Sequence, residues 1–188
     1  MNMIQNNYLQ NVVAYPNFLD EDKIKDAIEN TEYIGYGLPE GTRICKIHSL
    51  NNLDSIMNHI NKFIHRMNNR YYHFDIVNIQ DIQTKDHPRR FEYKSTENGK
   101  FDQHIDVGDN RHSTRKLSYS IQLTDSNDYE GGDLIFWPQG NNTPELLEMR
   151  RQKGTIIIFP SYMCHAVTPV TKGVRNALVG WVHGNAFR

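Results

Sequence analysis

The 188-residue sequence predicts a mainly β fold with flanking helices, and three observations lead there. Apolar residues recur at three- and four-residue steps only within the first seventy positions. After Tyr71 the period changes to two. From there on, clusters of Gly, Pro, Asn and Asp interrupt the chain every 8–12 residues or so, the pattern of a sandwich, barrel or jelly roll. The length fits one domain by the soft prior of ~150 residues. No internal repeat and no Pro/Ser-rich linker divides the chain.

The first seventy residues read as helical. Asp20 is placed to cap a short helix whose Ile24, Ala27 and Ile28 share one face, and Gly35, Gly37 and Pro39 end that region. A second helix follows from Leu53, Ile56, Met57, Ile60, Phe63, Ile64 and Met67, with Asn51 or Asn52 as its cap. Phe74–Gln83 then alternates as a strand. Further strands are predicted at Arg90–Lys94, Lys100–Ile105, Lys116–Leu123, Leu134–Trp137, Glu145–Met149, Thr155–Phe159, Ala166–Val170 and Asn176–His183. Gly131-Gly132 marks a tight turn into the strand at Leu134. Two helices outside a β core is the expected arrangement.

Composition narrows the function. Lys and Arg total 21 against 22 Asp and Glu, a formal charge of −1, which argues against a generally basic nucleic-acid binder. The two cysteines, Cys45 and Cys164, are far apart and form no CxxC, as is ordinary in a reducing compartment. Met1-Asn2-Met3-Ile4-Gln5 shows no basic stretch leading into an apolar one, and no run approaches the ~18 apolar residues of a membrane span. A cytoplasmic protein without membrane contact is the expectation.

Of nine histidines, His48, His59, His65, His73, His87 and His112 sit among polar neighbours and read as solvated or locally bonded. Two others stand apart. His104 opens His104-Ile105-Asp106 on a predicted strand, where alternation turns an imidazole and a carboxylate to one face. His165 follows the apolar run Thr155–Phe159. Two imidazoles and one carboxylate on one face are the donor set that suits Fe(II) and leaves three coordination positions open. Arg175 lies ten residues past His165, where its planar guanidinium can clamp a carboxylate bidentately. Lys85, Arg89, Arg90 and Lys94, with Arg111, Arg115 and Lys116, are expected in two loops at the pocket entrance, either solvated beside the acidic Asp86, Glu92 and Glu97 or gripping an acidic or polypeptide substrate.

From about Phe91 to Gly184 the sequence resembles the iron(II)- and 2-oxoglutarate-dependent dioxygenases of the prolyl 4-hydroxylase type, in particular the bacterial PKHD-type hydroxylases. The matching stretches are Gly99-Lys-Phe101-Asp-Gln-His104-Ile-Asp106, Leu117-Ser-Tyr-Ser-Ile-Gln-Leu123, Tyr129-Glu-Gly131-Gly132-Asp133-Leu134 and Gly154-Thr-Ile-Ile-Ile-Phe159-Pro160-Ser161. The last continues through His165 to Arg175.

The resemblance implies a double-stranded β-helix (jelly roll, cupin-like) with N-terminal α-helical support: one domain over 1–188, with support in 1–72 and the β core in 73–188. It makes His104, Asp106 and His165 the iron ligands, Arg175 the partner of the distal carboxylate of 2-oxoglutarate, and Tyr93 a second cosubstrate contact. Gln122 or Tyr119 is expected to face the same pocket, Trp181 to wall it, and segment 84–98, before the first iron ligand, to act as a substrate lid. The implied cofactors are Fe(II), 2-oxoglutarate, O2 and ascorbate. The implied reaction is hydroxylation of a prolyl residue in a protein or peptide, with succinate and CO2 as coproducts. Halogenating relatives carry a small residue at the carboxylate ligand, so Asp106 argues for hydroxylation. Three alternatives stand beside this reading: a hydroxylase of a free amino acid or other small molecule, a cupin-like binding module without turnover, and a zinc hydrolase using the same three side chains.

Overall fold

The computed structural model describes residues 11–37, 41–51, 54–77, 86–137, 145–146 and 151–187. In chain order it contains β1 (Val13–Tyr15), α1 (Glu21–Glu29), β2 (Thr31–Tyr36), β3 (Arg43–Ile44), β4 (Lys46–Leu50), α2 (Asp54–Met67), β5 (Arg89–Lys94), β6 (Lys100–His104), β7 (Arg115–Gln122), β8 (Tyr129–Gly131), β9 (Leu134–Trp137), β10 (Glu145–Leu146), β11 (Ile156–Pro160), β12 (Cys164–Val167) and β13 (Val170–His183). The described strands form two antiparallel sheets. The wide sheet runs β1-β11-β7-β13-β5-β4-β2, with β8 also paired to β13; the narrow sheet runs β10-β9-β12-β6-β3. This is the jelly roll expected from the sequence.

Both expected helices are present. Asp20 caps α1 by accepting the Lys23 N–H at 2.9 Å, and Glu21 and Asp22 place negative charge in its first turn, where the helix dipole favours it. Ile24 and Ala27 are buried beneath α1, and Ile56, Met57, Ile60, Phe63, Ile64 and Met67 beneath α2. They cover the outer face of the wide sheet, meeting Leu117, Ile121, Ile156, Ile158, Leu178 and Val182. The opposite face carries a second core between the sheets, with Phe91, Phe136, Ile157, Phe159 and Val167. Along β11, Ile156 and Ile158 thus point to the helices while Ile157 and Phe159 point to the narrow sheet. A strand buried on both faces needs an unbroken apolar run, and Ile156–Phe159 supplies one.

The first seventy residues depart from a purely helical reading, because β1, β2, β3 and β4 lie there. β1 pairs with β11, and β4 joins β2 to β5. Each is six residues or shorter, and Gly35 and Gly37 interrupt the alternation that would have marked β2. The strand expected at Phe74–Gln83 is absent over 74–77, which follow, without regular structure, the π-helical turn at Asn68–Tyr72 that extends α2; 78–83 lie outside the described residues. Asn52 and Leu53, and 147–149 of the expected strand at Glu145, also lie outside them. Segment 86–98 is not a lid: β5 sits inside the wide sheet, hydrogen-bonded to β13 on one side and β4 on the other; 84–85 lie outside the described residues. No helix among the described residues is long and apolar enough to cross a membrane.

Candidate active site

β12 and β6 are neighbours in the narrow sheet, and their register sets His165 directly opposite His104. The two imidazole centroids are 4.2 Å apart. Asp106 reaches them by a different route from the one alternation predicts, because β6 ends at His104. The chain bends there. The Asp106 and Val107 N–H groups donate to the Ser161 carbonyl, at 2.8 and 3.2 Å, in the turn between β11 and β12. The Asp106 carboxylate then lies 3.7 Å from His104 Nε2 through Oδ1 and 3.5 Å from His165 Nε2 through Oδ2. One ligand atom from each of the three residues fits within 4.8 Å of the others.

The backbone fixes both imidazoles in one tautomer. His104 Nδ1 is 2.7 Å from the Asp102 carbonyl, and His165 Nδ1 is 2.9 Å from the Met163 carbonyl. A carbonyl only accepts, so each Nδ1 carries the proton and each Nε2 presents a lone pair to the site. Phe101 stacks on the His104 ring at 3.5 Å. Burial, reinforced by the neighbouring His165, pushes the His104 pKa down to about 4, which keeps its ring neutral and free to ligate. Burial alone would raise the Asp106 pKa. His165, the Ser118 hydroxyl, His104 and Arg115 outweigh it and hold the carboxyl below its usual value. Ser118 Oγ donates to Asp106 Oδ2 at 2.7 Å and is 3.0 Å from Ser161 Oγ. Two imidazole nitrogens and one carboxylate are a donor set that fits Fe(II).

A cavity opens beside these donors, between the two sheets. Arg175 and Tyr93 both line it, as opposite residues on β13 and β5. Arg175 is only 3% exposed, and its guanidinium lies 5.4 Å from the Tyr93 ring centroid. Among the described residues it forms no hydrogen bond or ion pair, so a buried cation faces the cavity without a protein counter-charge. Gly132 makes room for it: in its left-handed conformation (φ +62°), a Cβ there would sit 3.0 Å from Arg175 Cδ. After Tyr93 the chain turns through a 3₁₀ segment at Ser95–Glu97 closed by Asn98 in the left-handed region, and Tyr93 stays in the cavity wall. Burial drives the Tyr93 phenol pKa upward, so it stays protonated.

Trp181 lines the cavity. Tyr119 borders it too, but it belongs to the helix-side core and lies across Gly180. Gln122 is not among the lining residues; its amide donates to the Tyr129 hydroxyl at 2.9 Å. The basic residues expected in entrance loops include three that are buried: Arg90, Arg115 and Lys116. Arg90 bonds Asn176, Thr31 and Glu92 within the wide sheet. Ser118, Ser161 and Phe101 lie in the matching stretches but were assigned no role, since each acquires its role from a partner brought close only by folding.

Residues 90–183, half of the chain, match the model of the 2OG-Fe(II) oxygenase superfamily. The chain belongs to that superfamily. Membership implies Fe(II), 2-oxoglutarate and O2, and the donor set and the buried cation suit the first two. A PKHD-type hydroxylase of Synechococcus sp. (strain CC9902) is 41% identical over 80 residues, covering 42% of this chain and 34% of that relative. The chain thus spans about a third of the length of the curated relatives it matches. Among solved structures, a Pseudomonas putida prolyl-4-hydroxylase superposes with a TM-score of 0.69 at 15% identity, covering 93% of each chain. A Trichoplax adhaerens prolyl hydroxylase, in complex with a hypoxia inducible factor oxygen degradation domain peptide fragment, superposes with a TM-score of 0.69 at 17% identity, covering 94% of this chain and 84% of that one. At these identities the structural likeness establishes the shared jelly-roll fold.

Proposed function

We propose that this oxygenase hydroxylates a C–H bond of a prolyl residue in a protein or peptide, with 2-oxoglutarate converted to succinate and CO2. The observation that carries the reading is the pairing, within one cavity, of a His/Asp/His donor set with a buried guanidinium that, among the described residues, has no hydrogen-bonding or acidic partner. His104 and His165 through Nε2, and Asp106 through its carboxylate, would hold Fe(II). The iron supplies O2 activation coupled to oxidative decarboxylation of the cosubstrate, and ascorbate serves as the reductant that keeps it ferrous.

The protein's own groups divide the remaining work. Arg175 takes the distal carboxylate of 2-oxoglutarate, an anion that would be costly to bury without a counter-charge. The protonated Tyr93 hydroxyl donates to the same ligand. Phe101 and Trp181 keep water from the reacting centre, and Phe101 also locks the plane of the His104 ring. The PKHD-type hydroxylase relative and the peptide-bound prolyl hydroxylase neighbour support a prolyl or peptide substrate over a free amino acid. We read residues 1–188 as one domain, in which 1–72 add strands β1–β4 as well as the two helices to the β core of 73–188, and the setting as cytoplasmic, in keeping with the free Cys45 and Cys164.

The test supplies Fe(II), 2-oxoglutarate and ascorbate together with either proline-containing peptides or free amino acids. Succinate release and a mass gain of one oxygen on a peptide are expected. Oxygen gained only by a free amino acid would replace the substrate assignment. Activity supported by zinc in place of iron would overturn the reaction class.

A further inference from the structure

Asp86 and Arg115 form a buried ion pair that the proposed chemistry leaves unused. Asp86 is 3% exposed and Arg115 6%. Arg115 Nε donates to Asp86 Oδ2 at 2.9 Å, and Nη2 lies 2.7 Å from the same oxygen. Its other edge points elsewhere: Nη1 donates to the backbone carbonyl of Asp106 at 3.1 Å. The guanidinium carbon lies 3.8 Å from the ring centroid of Trp181, which also lines the cavity. His183 Nε2 is 3.6 Å from Asp86 Oδ2, and its Nδ1 is 2.8 Å from Thr114 Oγ1.

Removing a carboxylate and a guanidinium from water together is repaid only by close geometry and further hydrogen bonds. Here the further bond goes to the one donor residue that no strand holds. His104 and His165 sit in ladder positions of β6 and β12, whereas Asp106 lies past the end of β6. Its place depends on separate tethers: its N–H to the Ser161 carbonyl, its carboxylate to Ser118, and its carbonyl to Arg115. A planar fork serves two partners on two edges at once, which an ammonium group does not.

We propose that Arg115 is a positioning residue, aimed by Asp86 and steadied by Trp181, that fixes the Asp106 backbone and so sets how tightly the His104/Asp106/His165 centre binds its metal. This rests on reading those three residues as a metal centre. Outer-sphere partners of this kind change metal affinity by about 10–100-fold when mutated.

The experiment titrates Co(II) anaerobically into the full chain and into R115Q, R115K and D86N, following the visible absorption of the bound ion and recording a thermal melt for each protein. R115Q and D86N are expected to bind Co(II) at least about tenfold more weakly, with R115K between them and the parent. Affinity for 2-oxoglutarate at saturating metal is expected to stay close to the parent's, because Arg175 is untouched. Folded variants that bind Co(II) as tightly as the parent, with only a lower melting temperature, would reduce the pair to a structural one and overturn the proposal. If R115Q does not fold, R115K and D86N carry the same comparison. A parent protein that binds no Co(II) would overturn the metal-centre reading itself, a different outcome from equal binding by parent and variants.

Discussion

The two ends of the cavity are built differently. At the donor end every group is already engaged on its far side: His104 by Asp102, His165 by Met163 and Asp106 by Ser118. At the other end Arg175 is just as buried, yet among the described residues it has no hydrogen-bonding partner. The donor end is oriented before anything binds. The cationic end holds a charge that faces the cavity and that no described acidic side chain pairs with. On the proposed reading, with a metal at the donor end, a chelating diacid would be recognised at its two ends by separate forces, coordination at one and charge neutralisation at the other.

The largest effect should come from breaking the donor end. His104→Ala or Asp106→Ala should abolish succinate formation, while the melting temperature of the metal-free protein stays near the parent's, because the residues covering the helix-side core are untouched. Turnover retained in either variant would remove the metal centre from the account. Next comes the cationic end. Arg175→Ala should weaken 2-oxoglutarate by about 2–5 kcal/mol while leaving Co(II) affinity unchanged. The two ends would then be separable by experiment. Unchanged cosubstrate dependence would defeat the anchor assignment.

The two ends also differed in how far the sequence exposed them. His104, His165 and Arg175 are legible because each lies on or beside a patterned strand, and the family motif fixes their spacing. Asp106 was legible as a donor but not in its placement: the tether to Ser161 spans 55 residues of sequence, and no local period encodes it. The same holds for Asp86 and Arg115, which read as members of two separate charged loops and lie buried against each other. The N-terminal strands were hidden for another reason. β3 has two residues and β1 three, too few to display a period, and their pairing with β6 and β11 is what makes them strands.

Gly180→Ala sharpens the contrast from outside the cavity. A Cβ at position 180 would sit 2.2 Å from the Tyr119 hydroxyl oxygen and 2.4 Å from the ring carbon bearing it, both inside a packed core. Overpacking of this kind costs about 1–3 kcal/mol, read as a lower denaturation midpoint in urea. Because the Tyr119 ring packs toward the helices, affinity for 2-oxoglutarate should hold in the folded variant. A large loss of cosubstrate affinity with unchanged stability would instead put Tyr119 in the cosubstrate site.

Ser118→Ala should give the smallest change, and it tests the division most finely. Ser118 lies on β7 in the wide sheet, the sheet that carries Arg175, yet its hydroxyl serves the donor end by holding Asp106 Oδ2. If the two ends are separated by chemistry and not by sheet, the variant should lose about 1 kcal/mol of Co(II) affinity, the ordinary worth of one hydrogen bond, with no change toward 2-oxoglutarate. The loss should stay small because the Asp106 backbone keeps its bonds to Ser161 and Arg115. Weakened 2-oxoglutarate binding without a change in metal affinity would mean that the wide sheet acts as a unit and that the two ends are not independent.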